Sequence, residues 1–255
     1  MAGVEIMNAG RLREFFGMLC AILFAGGLVG CAAVDRRPPS IPEGFARDLP
    51  AECRQVVFVV GDGERSCKGR LWLLARDDSS SAWTSVAGPF PVNLGRNGMA
   101  WGSGERMPAA PAGFRIKREG DGCSPVGIFR IPYVFGYAAK APGIRLKYVP
   151  ITATSAGVDD SKSRYYNRVV DADKVERDWK SSETMLREDG IYRWGAFVAH
   201  NPDNVPGGGS CIFMHIWYGP GHGTSGCTAM AEGNLLRMLR WLDPEKVPSL
   251  VQGVR

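Results

Sequence analysis

The chain has 255 residues, of which 33 are glycine and 17 are proline, and it carries a formal net charge of +5 at pH 7. The roughly 205 residues from Leu49 onward are enough for one core of ordinary size and short of a clear case for two domains. The mild positive charge fits an anionic wall or membrane surface. No basic run with interleaved aromatic residues occurs, so the sequence predicts no nucleic-acid partner.

The N-terminal segment has the pattern of an export signal. Arg11 and Arg13 precede an apolar run at 15–30, which is shorter than the roughly 20 residues of a membrane-spanning helix. The run ends in the letters LVGC at 28–31, which resemble the lipobox of bacterial lipoproteins. This resemblance implies that residues 1–30 are removed and that Cys31 is lipidated and anchors the protein to a membrane. The alternatives are an ordinary secretory leader and an uncleaved anchor.

The predicted location is the cell envelope. The two residues after Cys31 are both alanine. By resemblance to Gram-negative lipoproteins, this favours the periplasmic face of the outer membrane. Residues 31–50 contain four prolines and a glycine, which is typical of a tether, and a single folded domain is predicted at 51–255.

The folded part is predicted to be mainly β. Apolar runs at 56–60 and 71–74 flank a glycine-rich turn, which indicates a hairpin. Further short strands are predicted at 83–92, 114–117 and 249–252, and helices at 181–187 and 231–242. Turns recur at short intervals and long amphipathic helices are scarce. We therefore predict a sandwich or bent sheets with a few short helices, and not a parallel α/β sheet.

The folded part holds five cysteines, an odd number. If Cys227 is kept free for chemistry, the other four can form up to two disulfides, with three possible connectivities. Those four are Cys53, Cys67, Cys123 and Cys211. Buried thiols are the alternative, and the sequence does not choose between the two.

A cysteine and a histidine at the centre of the glycine-rich part suggest nucleophilic catalysis. The alternation of a strand at 211–217 places His215 on the same face as Cys211 and Phe213. A glycine loop follows, and then a tight turn presents Cys227 just before the predicted helix, whose dipole would favour a thiolate. An imidazole that takes the thiol proton makes a nucleophile at neutral pH. Gly226 would let the backbone approach a substrate, and amides of this turn would stabilise an oxyanion.

Less specific interpretations of these residues also exist. A single histidine on an apolar strand, or a single cysteine, is more often part of the core. A zinc site could combine His200, His215 and His222 with Asp203 or Cys227, but the usual ligand spacings are missing. The sequence therefore predicts no metal and no cofactor.

The motifs also resemble those of a known family. His215 followed by the letters TSGCTAM at 224–230 resembles the active-site signature of the YkuD family, the L,D-transpeptidases of bacterial peptidoglycan. The letters CSPVGIF at 123–129 resemble that family's T-P-x-G-x-F segment, and the segments 95–102 and 208–217 resemble one divergent subgroup.

This resemblance implies a reaction and its residues. Cys227 would attack the carbonyl between the third and fourth residues of a peptidoglycan stem peptide, expel the terminal D-alanine and pass the acyl group to an amine. His215 would be the general base, and the backbone carbonyl of Ile216 would orient it. The N–H groups of Gly226 and Cys227 would form the oxyanion hole.

The sequence also departs from the family pattern. Ser225 and Ala229 replace a histidine and an arginine of the commoner signature, and the loop after His215 is short by family standards. The acceptor is therefore left open. Water would make the protein an L,D-carboxypeptidase or endopeptidase, and a non-catalytic wall-binding lipoprotein is the alternative from another class. Candidate substrate-binding residues are Thr224, Ser225, His222, His200, Asn201 and Tyr192.

Overall fold

The computed structural model describes Pro38 and residues 40–255. The predicted signal peptide and Cys31 lie outside the described residues. The strands are β1 Gln55–Gly61, β2 Lys68–Ala75, β3 Thr84–Asn93, β4 Met99–Trp101, β5 Ser124–Arg130, β6 Val134–Gly136, β7 Tyr148–Pro150, β8 Ser155–Val158, β9 Arg168–Asp171, β10 Ser182–Thr184, β11 Trp194–Phe197, β12 Phe213–Ile216, β13 Thr228–Met230 and β14 Ser249–Val254. The helices are α1 Glu43–Asp48, α2 Glu232–Trp241 and the short 3-10 helix Pro244–Lys246.

Most strands form one long sheet. Its order is β4-β5-β14-β1-β2-β3-β13-β12-β11-β6-β7, and a second, three-stranded sheet has the order β10-β8-β9. The predicted hairpin is confirmed, since β1 and β2 pair antiparallel, and the predicted strands at 83–92 and 249–252 correspond to β3 and β14. The prediction of a mainly β fold with a few short helices is confirmed.

The main core lies around β1, β2 and α2. Trp72 on β2 and Phe58 on β1 are almost fully buried, and their rings lie 6.2 Å apart. The predicted C-terminal helix is confirmed as α2, which buries Leu235, Met238 and Leu239 along one face. This apolar face is what holds the helix, because a ten-residue helix alone would be marginal in water.

Two local predictions are wrong. Residues 182–184 form strand β10, which pairs antiparallel with β8, and not a helix. No apolar stripe could hold a helix there, since Met185 is buried but Leu186 is 39% exposed. The predicted strand at 114–117 is reduced to a single bridge between Ile116 and Trp101, with Ile116 exposed.

The predicted tether is also wrong in part. Helix α1 lies within residues 31–50, and Phe45 and Leu49 are buried in the main core. The Phe45 ring lies 5.7 Å from that of Trp101. This segment therefore belongs to the folded domain, because its two apolar side chains are removed from water there.

The five cysteines of the described part are all free thiols. Cys53 contacts the Gln55 carbonyl and the Ser249 hydroxyl, and Cys211 lies 3.6 Å from the Val158 carbonyl. The interpretation as buried thiols holds for Cys53, Cys123 and Cys211, whereas Cys67 is partly exposed. In the described part of the chain, no helix is long and apolar enough to cross a membrane.

Candidate active site

Two parallel strands bring the predicted nucleophile and base together. His215 on β12 is in register with Ala229 on β13, and Cys227 immediately precedes β13. The Phe213 N–H points at the Cys227 Sγ, with the nitrogen 3.4 Å from the sulfur. Cys227 therefore lies beside Phe213, two residues along β12 from His215, so both functional side chains belong to the same region of the sheet. Both line one cavity of about 570 Å³.

The His215 ring is oriented by its own strand. Its Nδ1 lies 2.8 Å from the carbonyl oxygen of Ile216. Because a carbonyl only accepts, Nδ1 carries the proton of the neutral ring, and Nε2 keeps the lone pair that a general base needs. The Tyr192 ring packs edge-on against the imidazole at 5.2 Å. This is the arrangement that the predicted role of the Ile216 carbonyl requires.

Burial governs the protonation of both groups. Removal from water lowers the pKa of His215 to about 4, although its bond to the Ile216 carbonyl acts in the other direction. Burial raises the pKa of the Cys227 thiol to about 12, and the negative charge of Glu183 adds to this rise. The resting pair is therefore a neutral thiol and a neutral imidazole. A thiolate must form as the substrate is attacked.

The predicted help from a helix dipole is wrong. Strand β13 separates Cys227 from α2, which begins only at Glu232. The dipole effect fades within the first turn of a helix, so it does not favour a thiolate at Cys227.

The turn before Cys227 is held by side-chain hydroxyls. The Thr224 Oγ1 accepts a bond from the Gly226 N–H and donates to the Cys227 carbonyl, to which Ser124 Oγ also donates. Gly226 has φ +149°, and an added Cβ would lie 3.0 Å from the Cys123 carbonyl oxygen. The Gly226 N–H is already bonded to Thr224, so it is not a free donor for an oxyanion. The predicted oxyanion role of Gly226 is therefore wrong. The Cys227 N–H makes no hydrogen bond within the described part of the chain.

The loop between His215 and Cys227 is fixed to the neighbouring strand. Asn93 at the end of β3 donates to the Gly219 carbonyl at 2.7 Å and accepts from the Gly221 N–H at 2.8 Å. His222 is exposed in this loop and lines the cavity together with Thr224 and Ser225. These three residues and the buried Tyr192 line the cavity, and their role in substrate binding stays a prediction.

His200 and Asn201 do not line the cavity, and the prediction that they do is wrong. His200 is 1% exposed, and its Nε2 lies 3.0 Å from the Gly208 carbonyl oxygen. Asn201, at φ 52°, donates to the carbonyls of Val205 and Gly209. Both residues shape the glycine-rich segment that leads into β12.

The buried histidines should make stability depend on pH. Burial lowers the pKa of His200 and of His215 to about 4, below the ordinary value of 6.5. The unfolded chain therefore binds more protons between these values, so stability is complete above about pH 6.5 and falls as the pH falls toward 4. Each histidine accounts for up to about 3 kcal/mol of this loss.

Urea unfolding of wild type and His200→Gln at about pH 7.5 and about pH 5 measures this effect, and the variant should lose roughly 2 kcal/mol less on acidification. The exposed His222 offers the matched variant His222→Gln, which should lose as much as wild type. Equal losses in wild type and His200→Gln would show that His200 titrates normally.

Comparison with known proteins places these observations in a family. A family model described as YkuD, the L,D-transpeptidase catalytic domain, matches residues 68–248. The chain belongs to the YkuD family. No curated protein and no solved structure matches it at a significant level.

The structure shows the surroundings of Ser225 and Ala229, the two residues that depart from the common YkuD signature. Ala229 is 1% exposed and is enclosed between His215 and Asn93 on the adjacent strands. The Ser225 hydroxyl accepts a bond of 2.9 Å from Arg96, whose exposed guanidinium reaches the cavity from another segment. The cation that bonds the Ser225 side chain thus comes from residue 96, and the position of Ala229 carries none.

Several charged residues of the cavity were not predicted from the sequence. They are Arg96, Lys117, Glu119, Asp159, Glu183 and Arg187. They lie far apart in the chain, and β10, which carries Glu183, was predicted as a helix. Within the described residues, no group of three or more His, Cys, Asp and Glu side chains could hold a metal ion.

Proposed function

We propose that this YkuD-family protein is a cysteine acyltransferase that acts on peptidoglycan stem peptides. The observation that carries the proposal is the shared cavity of Cys227 and His215, with the imidazole fixed by the Ile216 carbonyl. Family membership supports the substrate class.

The first half-reaction follows from the neutral resting pair. The His215 Nε2 takes the thiol proton while the Cys227 Sγ forms a bond to the carbonyl carbon of the substrate. The resulting oxyanion can accept from the Cys227 N–H. When the carbon–nitrogen bond breaks, the departing amine of D-alanine takes the proton back from His215. The acyl group then remains on Cys227 as a thioester.

Charges in the cavity suit a stem peptide, which carries several carboxylates. Lys117 is bonded to Asp121 and Arg187 to Asp189, so both are already neutralised. Arg96 has no carboxylate partner among the described residues. Its guanidinium is therefore the strongest candidate to bind a substrate carboxylate next to Ser225.

Incubation of the protein with purified disaccharide-tetrapeptide muropeptides tests the proposal, with products identified by mass. Released D-alanine together with cross-linked dimers is the expected result. Release without dimers would show an L,D-carboxypeptidase, which the changes at Ser225 and Ala229 make the second candidate. No turnover would contradict the enzyme function for this substrate and would favour a wall-binding protein.

We also propose that the protein is exported and anchored through a lipid on Cys31, on the periplasmic face of the outer membrane. The LVGC letters at 28–31 support this. Labelling with a fatty-acid probe should mark wild type and not Cys31→Ser. Fractionation of cells would show which membrane carries the labelled protein.

A further inference from the structure

The smaller sheet contributes a carboxylate to the catalytic cavity. Glu183 on β10 pairs with Gly157 on β8 and lines the same cavity as Cys227 and His215. Its charge is the largest charge effect on the pKa of the Cys227 thiol, and it raises that pKa. The carboxylate is therefore within electrostatic reach of the sulfur.

Glu183 is linked to the base through one aromatic residue. The Tyr192 hydroxyl donates to Glu183 Oε1 at 2.7 Å, and the Tyr192 ring packs against the imidazole of His215. Tyr192 is 2% exposed and also contacts Phe213, so its position is fixed. This chain of contacts fixes the carboxylate relative to the reacting groups.

The Glu183 carboxylate has no cation of its own. No salt bridge of the described part includes it. The charge of Arg187 acts to lower the pKa of Glu183, but the Arg187 guanidinium is bonded to Asp189. Burial raises the pKa of Glu183, which reflects how poorly its charge is compensated. A half-buried carboxylate of this kind would be stabilised by a positively charged ligand.

A second group in the cavity also lacks a partner. Ser210 is 9% exposed and lines the cavity, but its Oγ has no hydrogen-bond partner among the described residues. Burial raises the pKa of the Tyr166 hydroxyl, which donates to Glu119 and accepts from the Gly209 N–H. The nearby Ser210 Oγ acts to lower that pKa, but it makes no contact with hydrogen-bond geometry. A buried hydroxyl without a partner is costly, so a ligand N–H that bonded it would be favoured.

We infer that Glu183 binds the ammonium group of the acceptor amine, and that Ser210 supplies a further polar contact in the same cavity. This inference rests on the proposed function and extends it to the second half-reaction. Arg96 and Ser225 belong to the part of the cavity assigned above to the donor peptide. Glu183 lies on β10 and Ser210 lies in the segment before β12. The acceptor is therefore bound by protein side chains other than those that bind the donor.

The second half-reaction then balances as follows. The bound ammonium gives one proton to the Glu183 carboxylate, and the neutral amine forms a bond to the thioester carbonyl carbon. As the carbon–sulfur bond breaks, the second proton of the amine passes through His215 to the departing Cys227 sulfur. The products are an amide, a free thiol and a protonated Glu183, which then loses its proton to water.

Glu183→Gln tests this inference, because glutamine keeps an oxygen that can accept from Tyr192 but lacks the charge. The measurement is the ratio of dimer to hydrolysed tetrapeptide. This ratio should fall by roughly tenfold or more, the loss expected for one charge-assisted hydrogen bond. Hydroxylamine, which is uncharged near neutral pH, serves as a second acceptor. The ratio of hydroxamate to hydrolysis product should stay within about twofold of wild type, since this acceptor needs no anion.

Glu188→Gln is the matched control, because Glu188 is exposed and lies outside the cavity. An unchanged dimer ratio in Glu183→Gln would overturn the inference, and so would equal losses with both acceptors. A wild-type protein that releases D-alanine but never forms dimers would also overturn it while leaving acyl-enzyme chemistry intact. Failure of the proposed function is distinct from these outcomes, since wild type would then release no D-alanine.

Discussion

Cys227→Ala is expected to lower D-alanine release by roughly 10⁴-fold or more, because no other group can form the thioester. The fold should survive, since the buried Cys227 side chain makes only two weak hydrogen bonds in the described part of the chain, with the Phe213 N–H and the Cys211 carbonyl, and alanine keeps its Cβ in the surrounding apolar cluster. Mass spectrometry of the muropeptide products measures the loss. Circular dichroism and urea unfolding show whether the variant is folded.

Covalent capture gives an independent measurement of the same residue. A carbapenem carries a strained carbonyl that a thiol can attack, so wild type should gain the mass of one inhibitor molecule. Cys67→Ser is the control, because Cys67 is more exposed than the other four thiols of the folded part. It should gain the same mass, since Cys67 makes no contact with His215 and so is not activated by it. Cys227→Ala should gain nothing. An adduct on Cys227→Ala, or its absence from wild type, would contradict the assignment of the nucleophile.

The sequence predicted the parts of the site that are local in the chain. The alternation around His215 indicates a strand, and the turn at 224–227 with Gly226 indicates a close backbone approach. These patterns depend on neighbouring residues, so they can be detected without tertiary structure. The pairing of β12 with β13 brings His215 near Cys227. This pairing can also be expected from the sequence, because only a compact loop lies between the two strands.

The other side of the site depends on pairings across long stretches of chain. Glu183 enters the cavity because β10 pairs with β8, a tertiary contact that overrides the weak helical preference of 181–187. Arg96 reaches Ser225 across 129 residues of sequence. Segment 95–102 resembles a family subgroup, but nothing in its letters places Arg96 in the cavity, and no local pattern marks Glu183. The burial that makes Cys227 a neutral thiol depends on the completed fold.

Replacement of His215 is expected to have the second large effect on activity. His215→Ala and His215→Asn should each lower acylation of Cys227 by roughly 10²- to 10⁴-fold, the usual contribution of a general base. Asparagine is the informative replacement. Its amide N–H can still donate to the Ile216 carbonyl, but it offers no basic nitrogen to the thiol. If His215 only supports the strand, His215→Asn should keep most of the activity, and that result would exclude it as the base.

A Cys227 thiolate can form by proton transfer to His215 or by spontaneous ionisation of the thiol. The pH dependence of the acylation rate separates these two routes. In wild type the base is neutral above its pKa of about 4, and the thiol stays protonated up to about 12. Acylation by a carbapenem should therefore rise through about pH 4 and then be nearly flat across neutral pH. In His215→Asn only the spontaneously formed thiolate reacts, so the rate should rise about tenfold per pH unit over the same range. A flat profile in the variant, or an equally steep one in wild type, would mean that proton transfer to His215 does not limit the attack by Cys227.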